Sequence, residues 1–269
     1  MPMPSAASNV VSWGKDKTIV LVGTGQLAQA LGPAMAAKGM AVKQVYGRDQ
    51  KKAQALAALC GAAPVSAWSE IDPSADLYVL CVSESALAAC AAQLVLKPGA
   101  WVLHCAGMAP LIETKAKSGV LWPVQMFGSS PAPWGNPFLV VEAANPADLP
   151  ALMAFAACLS TTVQALEHEK RQELHLMATW VSNFSNHLYH LADLYLQEKG
   201  LDFSLLQGII AQTALRLEHL KPAAAQAGPA WRKSEAALAL HRKLLANHPD
   251  LLLWYNQFSQ SIMDTKEKG

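Results

Sequence analysis

The stretch from Thr18 to Ala37, T-I-V-L-V-G-T-G-Q-L-A-Q-A-L-G-P-A-M-A-A, limits what this chain can fold into more than any other. An apolar, β-branched run, Ile19 to Val22, breaks at Gly23-Thr24-Gly25 and gives way to helical spacing through Leu27, Leu31 and Met35. That pattern reads as a strand, a tight glycine turn and a helix. Gly23 permits the sharp turn, Gly25 lets the backbone approach a pyrophosphate, and Ala28 stands where close helix–strand packing needs a small residue. A pyrophosphate would then meet unpaired N–H groups at the helix start, where the helix dipole also favours an anion. Gly23, Thr24, Gly25, Gln26 and Leu27 are therefore candidate cofactor-binding residues. The bland alternative is a purely structural turn.

The segments that follow keep the alternation of strand and helix. Ala41 to Tyr46 reads as a second strand ending at Gly47-Arg48-Asp49, and Gln50 to Leu59 as a helix. Dinucleotide units of this kind place an acid about 20 residues beyond the glycines for a ribose hydroxyl pair, or an Arg for a 2′-phosphate. Gly47 leaves room at the strand end and Arg48 follows at once, so NADP is favoured over NAD. Arg48 read blandly is a solvated loop charge, with Asp49 capping the next helix. Both readings hold together, since they use different residues. Asp76 to Val82 and Ala100 to Leu103 are near-continuous apolar strands, as in a parallel sheet covered on both faces. Ligands bind at the carboxyl ends of such strands, which nominates Val82, Ser83, His104 and Gly107. His104 is alternatively a hydrogen-bonded structural histidine.

Two more strands, Val120 to Phe127 and Pro137 to Glu142, flank a Pro/Gly/Ser-rich loop from Gly128 to Asn136. A helix from Ala147 to Leu159 and a short strand from Thr161 to Leu166 close the first domain near Glu167. From His168 the pattern is all-helical. The expected organisation is a loose arm over residues 1–16, a mostly parallel, doubly wound α/β domain over 17–167, and an all-α domain over 168–269. The first helix of the second half, His168 to Lys199, carries Arg171, His175, Thr179, Ser182, Asn186 and Asp193 on one polar stripe, with apolar residues on its other sides. Such a helix is buried, so its stripe should face a cleft. The competing reading has the stripe hydrogen-bonding neighbouring helices. Further helices are expected over Phe203 to His219, Lys233 to Asn247 and Pro249 to Met263. The loop Ala225 to Arg232 is either an ordinary connector or a device that brings Arg232 to an anionic ligand group.

Composition excludes more than it selects. The 21 Lys and Arg nearly cancel the 20 Asp and Glu, so no overall field points to nucleic acid or an anionic membrane. The five cysteines show neither a C-x-x-C pair nor metal-ligand spacing, so no metal is expected and a reducing compartment is the simplest reading. The opening residues lack a basic start and an apolar core, and no apolar run reaches the ~18 residues of a membrane span. These readings place the protein in the cytoplasm.

Four segments carry a family resemblance: L-W-P-V-Q-M-F (121–127), K-R-Q-E-L-H-L-M-A (170–178), S-N-F-S-N-H-L-Y (182–189) and A-Q-A-G-P-A-W-R (225–232), with His241 following. With the glycine turn, they make the chain resemble the DUF2520 group of the pyrroline-5-carboxylate reductase and 6-phosphogluconate dehydrogenase superfamily, over nearly all of its length beyond residue 17. The resemblance implies a Rossmann domain followed by an all-α domain like the C-terminal domain of 6-phosphogluconate dehydrogenase. It implies NADP oxidoreduction, a homodimer formed through the helical domain, and an active site between that domain and the nicotinamide. By that analogy His175, Asn183, Arg232 and His241 are the residues to watch. The chain departs from the group in having Trp122 where His often precedes Pro, and Ser234 where an acid often stands two after the loop Arg. The K-x-x-x-N pair of β-hydroxyacid dehydrogenases is not met either, because Lys170 is followed at that spacing by Leu174.

Two functions follow. One is an NADP(H)-dependent oxidoreductase acting on a small C=O or C=N substrate at the interdomain cleft. Its catalytic candidates are His175 for acid/base work, Asn183 for orienting substrate and Arg232 for binding a carboxylate. The alternative, motivated by the departures at Trp122 and Ser234, is a non-catalytic NADP-binding sensor or dimeric scaffold.

Overall fold

The computed structural model describes residues 17–128 and 133–268, so the arm expected over residues 1–16 lies outside the described residues. The chain forms two compact units, the first running through Ser182 and the second from Asn183 to Gly269. The passage between them falls within a short π-helical turn, Trp180–Phe184. The first unit thus extends beyond Glu167, where the strand pattern stops, because the first turns of the following helix are tied to the sheet.

The first unit is built on an eight-stranded sheet in the order β3-β2-β1-β4-β5-β6-β7-β8. Its strands are β1 (Thr18–Val22), β2 (Ala41–Tyr46), β3 (Ala63–Val65), β4 (Leu77–Leu80), β5 (Trp101–His104), β6 (Lys117–Pro123), β7 (Leu139–Ala143) and β8 (Val163–Ala165). All neighbours pair in parallel except β6 with β7. The helices of this unit are α1 (Gln26–Ala37), α2 (Gln50–Cys60), α3 (Leu87–Ala92), α4 (Leu149–Leu159) and α5 (His168–Thr179). Side chains alternate between the two faces, as the strand period of two requires. Ile19 and Leu21 pack with Leu31, Met35, Leu56 and Phe155 on one side, while Val20 and Val22 join Tyr78, Leu80 and Val102 on the other. With both faces covered, β4 and β5 are buried along their whole length, which accounts for their near-continuous apolar sequences.

The amino-terminal edge of the sheet is locked by one carboxylate. Asp76 accepts from the Thr18 N–H at 2.9 Å and the Thr18 hydroxyl at 3.1 Å, and pairs with Lys97 at 2.8 Å. Its own backbone N–H donates to Thr18 O and its carbonyl accepts from Trp101 N–H, so one residue sets the start of β1, β4 and β5.

The second unit contains α6 (Ser185–Glu198), α7 (Ser204–Arg216), α8 (Pro222–Ala225), α9 (Glu235–Leu244) and α10 (Pro249–Lys268). Gly200, with φ +70°, ends α6. The N–H groups of Gly200 and Leu201 donate to the carbonyls of Gln197 and Leu196, which closes the helix without a cost that a Cβ would add. Contacts between His241 Nδ1 and Tyr255 Oη (2.9 Å) and from Arg242 Nε to Asn256 Oδ1 (3.0 Å) fasten α9 to α10. No helix among the described residues is long and apolar enough to cross a membrane.

Candidate functional site

The glycine turn lies at the carboxyl edge of the sheet, and sterics there explain each glycine. Gly23 has φ +119°, and a Cβ on it would stand 2.3 Å from the Cys81 carbonyl oxygen, so the chain leaves β1 in contact with the end of β4. At Gly47 a Cβ would meet the Thr24 methyl at 2.5 Å, so the end of β2 must be bare for Thr24 to lie over it. Gly25 is different. It caps α1 without a side-chain hydrogen bond, and nothing lies within 4 Å of where its Cβ would be. An open approach to the N–H groups at a helix start is what a pyrophosphate requires. Ala28 behind it is fully buried, as close helix–strand packing demands.

Gly23, Thr24, Gly25 and Gly47 line a pocket of about 770 Å³ together with Tyr46, Arg48, Trp68, Cys81, Val82, Ser83, Ala86, Ala89, Cys90 and Gln93. Asp49 is committed elsewhere, since its carboxylate accepts from the N–H groups of Lys51 and Lys52 and caps α2. The strand end therefore offers the pocket a cation and no free acid, an arrangement suited to a 2′-phosphate rather than to a bare ribose diol. Seven of the nominated cofactor residues, Gly23, Thr24, Gly25, Gly47, Arg48, Val82 and Ser83, line the pocket, whereas Gln26, Leu27, His104 and Gly107 do not. Trp68, Cys90 and Gln93 also line the pocket, and no motif points to them. Trp68 follows β3, and Cys90 and Gln93 lie on α3 and at its end, segments that the glycine pattern does not reach.

His104 at the end of β5 is wholly buried. Its Nδ1 accepts from the Ala106 N–H at 3.3 Å, which fixes the proton of the neutral ring on Nε2. Burial, reinforced by the positive charge of Arg171, brings its pKa down to about 4, and the Pro110 carbonyl acts in the opposite sense. The ring is thus neutral at ordinary pH.

The decisive polar cluster centres on Arg171, which is 0% exposed. Its Nε and Nη2 both donate to Glu142 Oε2 on β7, at 3.1 and 2.8 Å. Nη1 donates to the Gly107 carbonyl, and Nη2 lies 3.1 Å from His168 Nδ1. Helical spacing groups Arg171 with a stripe facing a cleft. Instead its guanidinium is inside the first unit, clamping the loop that follows β5. One turn later, His175 packs on that same loop. Its Cδ2 would lie 2.6 Å from a Cβ on Gly107, and the Trp122 indole presses on the same point at 2.6 Å. The His175 and Trp122 rings face each other with centroids 5.3 Å apart. His175 is therefore positioned at the carboxyl ends of β5 and β6. Asn183 and Arg232 belong to the helical unit. Arg232 is exposed there, and its guanidinium makes no ion pair among the described residues. His241 lines an apolar pocket of about 540 Å³ in that unit, with the Gly228-Pro229-Ala230 loop, Trp254 and Phe258.

The family model described as NADP oxidoreductase coenzyme F420-dependent matches residues 18–106, and the DUF2520 model, a domain of unknown function, matches residues 137–262. Among solved structures, BF3122 of Bacteroides fragilis, designated a candidate NADP oxidoreductase, is 32% identical. That match covers 93% of this chain and 99% of the other, with a TM-score of 0.82. The chain belongs to the DUF2520-containing NADP oxidoreductases. Two more distant structures share the family's fold. Protein TM1727 of Thermotoga maritima is 19% identical over 93% of this chain and 98% of its own, with a TM-score of 0.71. A pyrroline-5-carboxylate reductase of Coxiella burnetii is 12% identical over 94% and 98%, with a TM-score of 0.58. No curated protein matches the chain. NADP is the cofactor of this oxidoreductase family, and the Gly47-Arg48 strand end and the open helix start at Gly25 fit it.

Proposed function

We propose that the protein uses NADP(H) to reduce or oxidise a small C=O or C=N compound, with His175 as the acid/base. The observation that carries this reading is the seating of His175 between Trp122 and Gly107 at the carboxyl edge of the sheet. The cofactor, when bound, supplies or accepts the hydride. The chain's own share begins at the phosphates, where the N–H groups opening α1 and the Arg48 guanidinium hold negative charge. Arg171 then fixes the Ala106-Gly107 backbone against which His175 rests. A histidine held there offers an imidazole nitrogen that can deliver or receive a proton. Asn183 orients the substrate in this reading, and Arg232 binds a carboxylate on it through paired N–H donors.

The protein acts as a homodimer formed through the helical unit. The support is the apolar surface that unit presents, with Leu205 68%, Ile209 61% and Phe258 44% exposed, an amount that marks interaction surfaces in soluble proteins. NADPH oxidation measured on a panel of imines and 2-keto acids tests the chemistry. With a substrate in hand, His175→Ala is expected to lower kcat by about a hundredfold or more while NADPH affinity is retained. Unchanged turnover would remove His175 from the mechanism.

A further inference from the structure

Past Arg48 the nucleotide pocket is finished by side chains outside the glycine pattern. Trp68 follows β3 and lies on Tyr46 at the end of β2, with ring centroids 4.1 Å apart and planes at 29°. Both rings line the pocket. The turn that carries Trp68 is well anchored. The Glu70 carboxylate accepts from the N–H groups of Ser66 and Ala67, each at 3.0 Å, and the Glu70 carbonyl accepts from Gln44 Nε2 at 2.9 Å. Tyr46 beneath it is buried. The indole is therefore half of a prebuilt aromatic stack, held on a base that has little freedom to move. The pocket is completed from α3 by small side chains, Ala89 and Cys90, which leave width beside the indole.

We infer that this part of the pocket takes the adenine ring and that Trp68 is its stacking platform. The inference rests on the NADP reading above and deepens it by naming what recognises the base. Covalent structure supports the placement. In NADP the base and the 2′-phosphate are carried on neighbouring carbons of one ribose, so the base subsite must adjoin the residue that holds the phosphate. Arg48 and Trp68 line the same pocket. A flat, electron-rich indole backed by a phenol presents a π-face to any purine, and such base–aromatic stacking is sequence-tolerant but strong. Trp68 and Arg48 then divide the work, Trp68 holding the base and Arg48 selecting the 2′-phosphate.

Calorimetric titration of the full chain with 2′,5′-ADP and 5′-AMP separates the two roles. Trp68→Ala is expected to weaken both ligands by a common factor of about tenfold. Arg48→Ala should weaken 2′,5′-ADP and leave 5′-AMP unchanged, and Trp68→Phe should recover most of the lost affinity. As a second readout, 5′-AMP should slow alkylation of Cys90 by N-ethylmaleimide, followed by mass spectrometry, in the parent protein but not in Trp68→Ala at the same ligand concentration. Unchanged affinity in Trp68→Ala, or Trp68→Phe binding as weakly as Trp68→Ala, overturns the stacking role while the NADP reading stands. Absence of 2′,5′-ADP binding by the parent protein overturns both.

Discussion

Replacing Arg171 by methionine keeps much of the side chain's aliphatic volume and removes its charge and all of its donors. Glu142, whose side chain is 13% exposed, loses its ion-pair partner. The Gly107 carbonyl and His168 Nδ1 each lose a donor as well. Removing one member of a buried pair costs ~3–5 kcal/mol, chiefly because the other charge is left without compensation. For a chain of this size that corresponds to a fall in Tm on the order of 10 °C. Thermal melts followed by circular dichroism measure it, and the double variant Arg171→Met/Glu142→Leu supplies the control. If the penalty is the abandoned carboxylate, the double variant should recover at least ~1 kcal/mol relative to the sum of the single losses. An Arg171→Met melt within ~2 °C of the parent would refute the argument, as would strict additivity.

Two further expectations concern titration. Burial and the charge of Arg171 put His104 at about 4, below the ordinary ~6.5. Its contribution to stability is thus present above ~6.5 and lost as pH falls toward 4, and an NMR titration of its ring with a midpoint near 6.5 would contradict this. Burial raises the Asp76 carboxyl, but Lys97 and the Thr18 N–H and hydroxyl outweigh it and bring the pKa to about 2. Asp76→Asn should therefore cost about 2 kcal/mol at neutral pH, and the difference should vanish as pH falls from ~4 to 2. A denaturant midpoint difference that stays constant over that range would speak against the clamp.

Much of the first unit was legible because its signals are local. The β1–α1 turn announces itself through Gly23 and Gly25, and β4 and β5 through apolar runs that only a doubly covered sheet tolerates. β3 escaped, being three residues long with Pro64 in its middle, a residue that an edge strand accepts and a central one does not. The helix expected over His168 to Lys199 contains the π-helical turn at Trp180–Phe184, which leaves no mark in an apolar period. Arg171 illustrates a deeper limit. Helical spacing groups it with His175, but spacing cannot distinguish a polar stripe facing a ligand from one buried against Glu142 and a backbone carbonyl. Trp68 and Cys90 illustrate another, since pocket walls assembled from separate segments have no common sequence period. Trp122 was visible as a departure from the family pattern, and its role emerged only where its ring meets His175 and Gly107.

The assignment of the first unit as an NADP site can be checked by calorimetric titration of the full chain with NADPH and NADH. NADPH is expected to bind more tightly than NADH, with Arg48→Ala reducing the preference and leaving NADH affinity unchanged. Absence of binding by either nucleotide at millimolar concentration, or equal affinities that Arg48→Ala does not alter, would contradict it.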